Sequence, residues 1–180
     1  LYEVTTDNQG LVTFGNLIGT SSTYEYYVKE IEAPDGYTIP KELLDGKRVA
    51  VNTRKDVGIT QIKNESVQIH FNKTDVNGQL IAGGLFTLYQ NTGTVASPNY
   101  SYLKSIVPTK EGFDLSGLSD GQYRIQEVMS PDGYQINQTT IDFEIKKNDD
   151  NTRNVFVNDQ VVPDGVLEMK DFQGSAVLKK

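Results

Sequence analysis

The sequence predicts an all-β protein built from tandem antiparallel β-sandwich domains. Strand-like runs rich in Val, Ile, Thr, Tyr and Phe alternate with Gly, Asn and Asp turns along nearly the whole chain, a pattern typical of sandwiches. No helical stripe of useful length interrupts them. A twelve-residue phrase also occurs twice, and an internal repeat within 180 residues favours two domains over one.

The predicted strands are bounded by turn signals and are rich in the residue types that favour strands. The short turns between them favour antiparallel neighbours. In chain order the predicted strands are residues 11–17, 24–31, 67–73, 84–90, 122–128, 140–146, 153–159, 165–171 and 175–180.

The repeated phrase reads YYVKEIEAPDGY at 26–37 and YRIQEVMSPDGY at 123–134. The Pro, Asp and Gly near its end shape a turn after the strand. A carboxylate that points toward a core is costly unless it is paired or used in chemistry, so the two Glu residues of the phrase are candidate functional residues. Each shares a strand face with two apolar residues: Tyr26, Val28 and Glu30, then Tyr123, Ile125 and Glu127.

A second repeat compares residues 62–73 (IKNESVQIHFNK) with residues 169–180 (MKDFQGSAVLKK). When the two are aligned, Asn64 falls on Asp171 and Lys73 falls on Lys180. Each unit therefore begins with a strand that ends in an inward Lys, and it finishes with a strand that carries an inward Asn or Asp.

The second repeat also sets the predicted domain boundaries. We expect residues 1–65 to form a domain that lacks its first strand, and residues 66–172 to form a complete domain. Residues 173–180 are interpreted as the first strand of a following or complementing domain. Because the linkers between these parts are very short, neighbouring domains are expected to stack as a semi-rigid rod.

Composition argues against several classes of function. The formal net charge of −7 argues against nucleic acid and against anionic membrane surfaces as partners. No apolar run is long enough to span a membrane, and no secretory leader is visible at Leu1, where the chain opens inside a strand-like run as a piece of a longer protein would. The chain contains no Cys, which excludes disulfides, zinc thiolates and a cysteine nucleophile.

Lys73, Glu127 and Asp171 fall on the predicted core faces of three different strands. Desolvation favours the uncharged forms of both an amine and a carboxylic acid, and an uncharged amine is a nucleophile. Lys73 can then attack the carboxyl carbon of Asp171, with Glu127 moving protons and water leaving. Groups fixed in this way gain an effective concentration on the order of 10⁵ M. With Asn64 as the electrophile, ammonia would leave instead.

Three motifs in the right order carry a family resemblance that covers essentially the whole chain. The paired YxxxExxxPxGY phrases resemble the E-box of Gram-positive pilins and surface adhesins. Residues 69–89 (IHFNKTDVNGQLIAGGLFTLY) are similar to the opening of their Cna B-type domains, which are also called SpaA-like or prealbumin-like. Residues 166–171 (VLEMKD) resemble the closing strand with its reactive Asn or Asp.

The resemblance implies an autocatalytic isopeptide bond between the first and last strands, promoted by the Glu of the E-box. Carried over by position, Lys73 is the nucleophile, Glu127 is the acid and base, and Asp171 is the electrophile. It implies no cofactor and no metal, and no enzyme activity beyond this single turnover.

The resemblance leaves the first domain with an incomplete site. Glu30 and Asn64 are in place, but no residue before Leu1 is present to supply the lysine. Lys180 is a candidate lysine for the next domain, or for the first domain of another copy of the chain.

Two classes of function follow from the resemblance. The first is a structural stalk on a Gram-positive cell surface, extracellular and anchored to the wall through other parts of the parent chain, with neighbouring domains as its partners. The alternative is an adhesive module that binds a host matrix protein or glycan. Its best candidate surface is the polar segment Gln90–Lys104 with Tyr100 and Tyr102, although these tyrosines also suit ordinary loop anchoring. A carbohydrate-processing enzyme would need a pair of carboxylates in a cleft, and the sequence offers none that can be placed.

Simpler interpretations of the candidate site stay open at this point. Lys73 can be a surface lysine of an edge strand, which is the usual place for Lys. Glu127 can form a buried salt bridge with Lys73 that never condenses. Asn158 is a rival electrophile, whereas the repeat alignment selects Asp171.

Metal and hydrolase sites have weak signals. Asp75, Asn77 and Asp142 suggest calcium, but DVNG at 75–78 is better interpreted as a hairpin turn, since no EF-hand-like series of ligands follows it. His70 is out of phase with the core residues beside it and is expected to face solvent. With a single His in the chain, no Ser/His/Asp set can be assembled.

Overall fold

The computed structural model describes residues 1–19, 24–49, 51 and 61–174. Its regular secondary structure is almost all β, with 41% strand and 4% helix. No helix in this part of the chain is long and apolar enough to cross a membrane. The elements, in chain order, are β1 (Tyr26–Val28), β2 (Tyr37–Thr38), α1 (Lys41–Leu44), β3 (Lys47–Val49), β4 (Glu65–Ser66), β5 (His70–Thr74), β6 (Leu85–Asn91), β7 (Tyr100–Ile106), β8 (Phe113–Asp114), β9 (Gly121–Met129), β10 (Thr140–Lys147), β11 (Arg153–Val157), β12 (Gln160–Val161), a 3₁₀ turn (Pro163–Gly165) and β13 (Val166–Lys170).

The chain divides into two compact units, of which the smaller contains Leu1–Glu30 and Lys41–Lys63. Its regular elements are the antiparallel pair β1 and β3 and the single helical turn α1. The strand predicted at 11–17 is wrong, since the structure has no strand there. Asn16 within this run has a φ of 58°, a left-handed conformation that interrupts an extended backbone.

The larger unit contains Ile31–Pro40 and Asn64–Lys180. It therefore includes the turn of the first repeated phrase, which the sequence assigned to the preceding domain. The predicted domain boundaries at 65/66 and 172/173 stay a prediction. The strand predicted at 175–180, with Lys180, lies outside the described residues.

Two sheets form the sandwich of the larger unit. One has six strands in the order β12-β11-β10-β9-β6-β7, all paired antiparallel. The other has three strands in the order β13-β5-β8, and within it β13 runs parallel to β5. Apolar side chains from both sheets share one buried core, in which the rings of Phe71 and Phe86 meet edge to face at 5.0 Å.

The predicted strand phases position the candidate site. Ile69, Phe71 and Lys73 are buried, as period-two alternation requires. His70, between them, is half-buried, and its Nε2 lies 2.6 Å from the carbonyl oxygen of Glu111. Leu167, Met169 and Asp171 point into the same core from the neighbouring strand or just past its end, and Tyr123, Ile125 and Glu127 do so from the facing sheet.

Candidate functional site

The candidate site joins the two sheets at the edge of the apolar core. Lys73 is on β5, and the parallel register places it opposite Met169 of β13. The pairing continues past the strand, since the backbone N–H of Asp171 donates to the carbonyl of Thr74 at 2.8 Å. Glu127 approaches from β9 of the facing sheet. The residues Lys73, Glu127 and Asp171 are 0%, 3% and 1% exposed to solvent, so water is excluded from all three.

The three side chains are in contact. Lys73 Nζ donates a hydrogen bond to Asp171 Oδ1, and it lies 3.3 Å from Glu127 Oε1 and 5.2 Å from the centroid of the Phe86 ring. Glu127 Oε1 is near enough for an ion pair but outside hydrogen-bond geometry. That atom and Asp171 Oδ2 are buried without a hydrogen-bond partner among the described residues. Such groups are costly unless their protonation or bonding changes.

Burial raises the pKa of the Glu127 carboxyl above its ordinary value, because desolvation penalises the charged form. The strongest opposing effect is the backbone N–H of Asn137, which donates to Glu127 Oε2 at 2.5 Å. This bond holds one oxygen of the carboxyl and leaves Oε1 facing Lys73. The geometry is compatible with proton transfer between Glu127 and Lys73, since Oε1 lies 3.3 Å from Lys73 Nζ.

Asn137 is a residue of the site that the sequence analysis missed. Its side-chain Nδ2 donates to the carbonyl oxygen of Lys170 at 2.8 Å, one residue before Asp171. Its Oδ1 accepts from the backbone N–H and the hydroxyl of Thr139 at 2.9 and 2.6 Å. Asn137 therefore links the carboxyl of Glu127 to the backbone segment that contains Asp171. The Asn-x-Thr spacing before β10 is an available signal, because it is typical of a turn in which the Asn caps its own backbone.

The arrangement suits condensation better than storage of charge. An ammonium and two carboxyls are enclosed together, and one carboxyl tends to keep its proton. Moving one more proton from nitrogen to oxygen gives an amine beside a carboxylic acid, already in contact, with a second acid at hand.

Asn158, the rival electrophile, is exposed in the turn between β11 and β12 with a φ of 50°. Lys73 contacts Asp171 instead, and this geometry favours Asp171. The roles given to the three residues stay a prediction.

The DVNG segment forms the turn expected of it. Asp75 Oδ1 accepts the backbone N–H groups of Asn77 and Gln79 at 2.8 and 2.9 Å. These bonds lower the pKa of the Asp75 carboxyl. Asp142 is elsewhere, paired with Arg124 at 2.6 Å. Within the described residues, no group of His, Cys, Asp and Glu side chains is arranged to hold a metal ion.

The residues of the other predicted site, Glu30 and Asn64, belong to different units. Glu30 is half-buried in the smaller unit, and its backbone N–H donates to the carbonyl of Leu43 at 3.3 Å. Asn64 is half-buried in the larger unit. Their predicted partnership, and the role of Lys180, stay predictions.

The predicted adhesive segment, residues 90–104, contains the end of β6, the loop that follows it and most of β7. Tyr102 is 65% exposed. The ring of Tyr100 lies 4.1 Å from the guanidinium carbon of Arg124, which is a local packing contact. Tyr102 is one of several exposed residues of this segment, together with Val95 and Leu103.

Comparison with solved structures finds several similar chains from Gram-positive bacteria. The Bacillus anthracis TIE protein is 27% identical with a TM-score of 0.46, and the match covers 94% of this chain and 28% of that protein. The pilus adhesin RrgA from Streptococcus pneumoniae is 22% identical with a TM-score of 0.47, covering 64% and 16%. The major pilin subunit BcpA of Bacillus cereus is 26% identical with a TM-score of 0.38, covering 60% and 29%.

The present chain therefore spans less than a third of each of these three proteins. No curated protein matches it. A family model described as the SpaA prealbumin-like fold domain matches twice, over residues 1–66 and 67–160. These two matches cover most of the sequence and agree with the sandwich of the larger unit. The chain belongs to the SpaA family of prealbumin-like fold domains.

Proposed function

We propose that this chain is part of the structural stalk of a Gram-positive surface protein, and that an isopeptide bond between Lys73 and Asp171 locks its larger unit. The observation that carries the bond is the enclosed contact of Lys73 Nζ with Asp171 Oδ1 beside Glu127. Membership of the SpaA family and the paired E-box phrases support the surface role. In this role the chain is extracellular, the wall anchor lies elsewhere in the parent protein, and neighbouring domains are its partners.

The reaction joins Lys73 Nζ to Asp171 Cγ. A proton passes from the ammonium to the Asp171 carboxylate, which leaves an amine and a carboxylic acid. As Nζ attacks Cγ, protonated Glu127 gives its proton to the oxygen that develops negative charge, and it then takes a proton from Nζ. As the C–O bond breaks, Glu127 gives its proton to one hydroxyl, which leaves as water, and it takes the proton of the other hydroxyl, which becomes the amide carbonyl. The ion pair becomes an amide plus one water, and Glu127 ends protonated as it began.

The position of the bond explains its value in a stalk. Lys73 is near the end of the first strand of the complete unit and Asp171 follows the last, 98 residues later. A covalent link between these positions transmits tension directly from one to the other. The strands between them then bear none of it, and the fold opens less readily to proteases.

Intact mass spectrometry of the native chain tests the bond. We expect the mass to fall short of the sequence mass by one water, and a proteolytic fragment to contain residues 73 and 171 joined together. The Lys73→Met variant should show its full mass. Glu127→Gln should also show full mass, since the proton donor is missing.

The variants separate this bond from dehydration elsewhere. Asp-Gly pairs, of which this chain has several, can lose water by closing on the backbone, and that loss would persist in Lys73→Met. A native chain of full mass, or a water loss that survives Lys73→Met, would refute the bond.

The second candidate function is adhesion to a host matrix protein or glycan through residues 90–104. The exposure of Tyr102 favours it, because exposed tyrosines are common contact residues in interfaces. The two functions are compatible, since a stalk module can also carry a binding loop.

A further inference from the structure

Arg153, at the start of β11, is a buried cation that lies outside the site of Lys73, Glu127 and Asp171. It is 5% exposed. Its Nε lies 2.8 and 2.9 Å from the two carboxylate oxygens of Asp120. Its Nη1 donates to the carbonyl oxygens of Ala33 and Tyr37 at 3.1 and 3.2 Å, and its Nη2 is 3.6 Å from Asp35 Oδ1. The guanidinium is therefore enclosed by the first APDGY turn and by Asp120.

The turn is seated by its shape as well as by the arginine. Within the turn, the backbone N–H of Tyr37 donates to the carbonyl oxygen of Pro34 at 3.0 Å. Thr38 Oγ1 accepts a hydrogen bond from the backbone N–H of Arg153 at 3.1 Å. Gly36 has a φ of 79°, and a Cβ there would lie 2.8 Å from the carbonyl oxygen of Leu118. Only glycine allows this turn and this close approach together.

The turn of the second phrase has a similar backbone, but no described residue covers it as Arg153 and Leu118 cover the first. The N–H of Tyr134 closes onto the carbonyl of Pro131 at 3.1 Å, and Gly133 has a φ of 83°. In both copies the glycine carbonyl also accepts a hydrogen bond from a later part of the chain. Gly36 accepts from the backbone N–H of Val67 at 2.9 Å, and Gly133 accepts from the backbone N–H of Gly174 at 3.1 Å. A Cβ on Gly133, however, would meet nothing within 4 Å. The Tyr134 carbonyl accepts from Ser130 Oγ at 3.0 Å.

We propose that Asp120 and Arg153 form a docking site for the PDGY turn of the preceding repeat. Residues 33–38 fall in the first family match and Arg153 falls in the second, although the structure places both in the larger unit. Arg153 binds carbonyl oxygens, and Gly36 permits close approach, so recognition depends on the backbone shape of the turn. Within the larger unit, the phrase thus has a second use besides its Glu, because its turn docks on Arg153 and Asp120.

Among the described residues, no arginine contacts the second turn as Arg153 contacts the first, and we extend the proposal to that turn. Residues 130–134 present a similar backbone turn, so their partner would be a following domain of the same family that carries an arginine paired with an aspartate. This inference does not depend on the isopeptide bond.

Hydrogen–deuterium exchange of the full chain tests the docking site. In Arg153→Met we expect amide exchange within residues 31–40 to be about tenfold faster, because the turn loses three of its contacts. Exchange within β6 and β9 should be unchanged. Arg124→Met is the matched control, since it also removes an arginine paired with an aspartate, and it should leave residues 31–40 unaffected.

Arg153→Lys decides the question if Arg153→Met destabilises the whole unit. Lysine keeps the charge but cannot reach Asp120 and both carbonyls together, so faster exchange should again be confined to residues 31–40. Unchanged protection of these residues in Arg153→Lys and Arg153→Met would overturn the proposal. Equal acceleration in Arg124→Met would overturn it as well.

Discussion

Lys73 and Arg153 are both buried cationic side chains of the larger unit, yet their surroundings differ. Arg153 donates hydrogen bonds from Nε to a carboxylate and from Nη1 to two backbone carbonyls, and its Nη2 lies 3.6 Å from Asp35 Oδ1. Lys73 donates one hydrogen bond to Asp171 and has Glu127 and the Phe86 ring nearby. An ammonium has three N–H donors to satisfy.

The difference shows two ways to bury a cation. Arg153 remains charged and is compensated by a fixed set of acceptors, whose planar geometry suits a guanidinium. Lys73 faces two carboxyls in an apolar setting, where an ion pair gains little over its desolvation cost. Conversion to an amide would remove the charges altogether. Substitutions of Lys73, which prevent the proposed amide, and of Arg153, which remove its hydrogen bonds, therefore test the difference most directly.

The largest effect is expected for Lys73→Met, which keeps the length and apolar stem of the side chain but cannot form the amide. The proposed amide would join two residues that are 98 positions apart. Its loss should lower the free energy of unfolding by about 4–5 kcal/mol, by analogy with a disulfide that closes a loop of that size. Denaturant unfolding of the larger unit measures this difference.

Lys104→Met is the control for that measurement. Lys104 is a half-buried lysine of β7 whose Nζ lies 5.7 Å from the Phe113 ring centroid, and its loss should cost about 1 kcal/mol or less. Equal destabilisation by the two variants would mean that Lys73 contributes packing only.

A smaller effect is expected for Arg153→Lys. Lysine retains the positive charge near Asp120 but leaves the carbonyls of Ala33 and Tyr37 short of a donor. We expect the free energy of unfolding to fall by about 1–3 kcal/mol, the usual cost of buried polar groups that lose their partners. Thermal or denaturant unfolding measures it, and Arg124→Lys serves as the comparison. That pair is partly exposed, and exposed pairs contribute about 0–1 kcal/mol.

The same contrast separates what the sequence could predict from what it could not. Strand alternation alone placed Lys73, Glu127 and Asp171 on core faces, because a period of two determines which side chains share a face. The repeats then suggested that they meet. The bond itself stays a prediction, since proximity does not establish a covalent product.

Arg153 was not predictable in this way. It opens a strand after a polar loop, where an exposed arginine is the normal expectation, and its carbonyl partners are 116 and 120 residues away in the chain. Backbone acceptors also leave no mark in the sequence. Asn137 is an intermediate case: its local turn was visible, whereas its bonds to Glu127 and Lys170 depend on how the sheets pack. The strand predicted at 11–17 failed because alternation gave no warning of the left-handed Asn16.

The smallest expected effect concerns pH, and it is measured in Lys73→Met, where no bond forms and Glu127 keeps a free carboxyl in its buried place. Desolvation raises the pKa of Glu127 above its ordinary value of 4.5 in the folded chain, and Lys73 lowers it, so removing Lys73 leaves it raised. The folded state then binds the proton more tightly than the unfolded state does. Stability from this group is complete below the unfolded pKa and is lost as the pH rises through the folded pKa.

We therefore expect the free energy of unfolding of Lys73→Met to fall as the pH rises above 4.5, by about 1.4 kcal/mol for each unit that separates the two pKa values. The double variant Lys73→Met/Glu127→Gln retains Asp171 and all other acids, so the difference between the two stability curves isolates Glu127. The free energy of unfolding of Lys73→Met should fall, relative to that of the double variant, as the pH rises. Parallel curves would show that the Glu127 carboxyl is not perturbed by burial, and they would remove the reason to assign it the proton that the condensation needs.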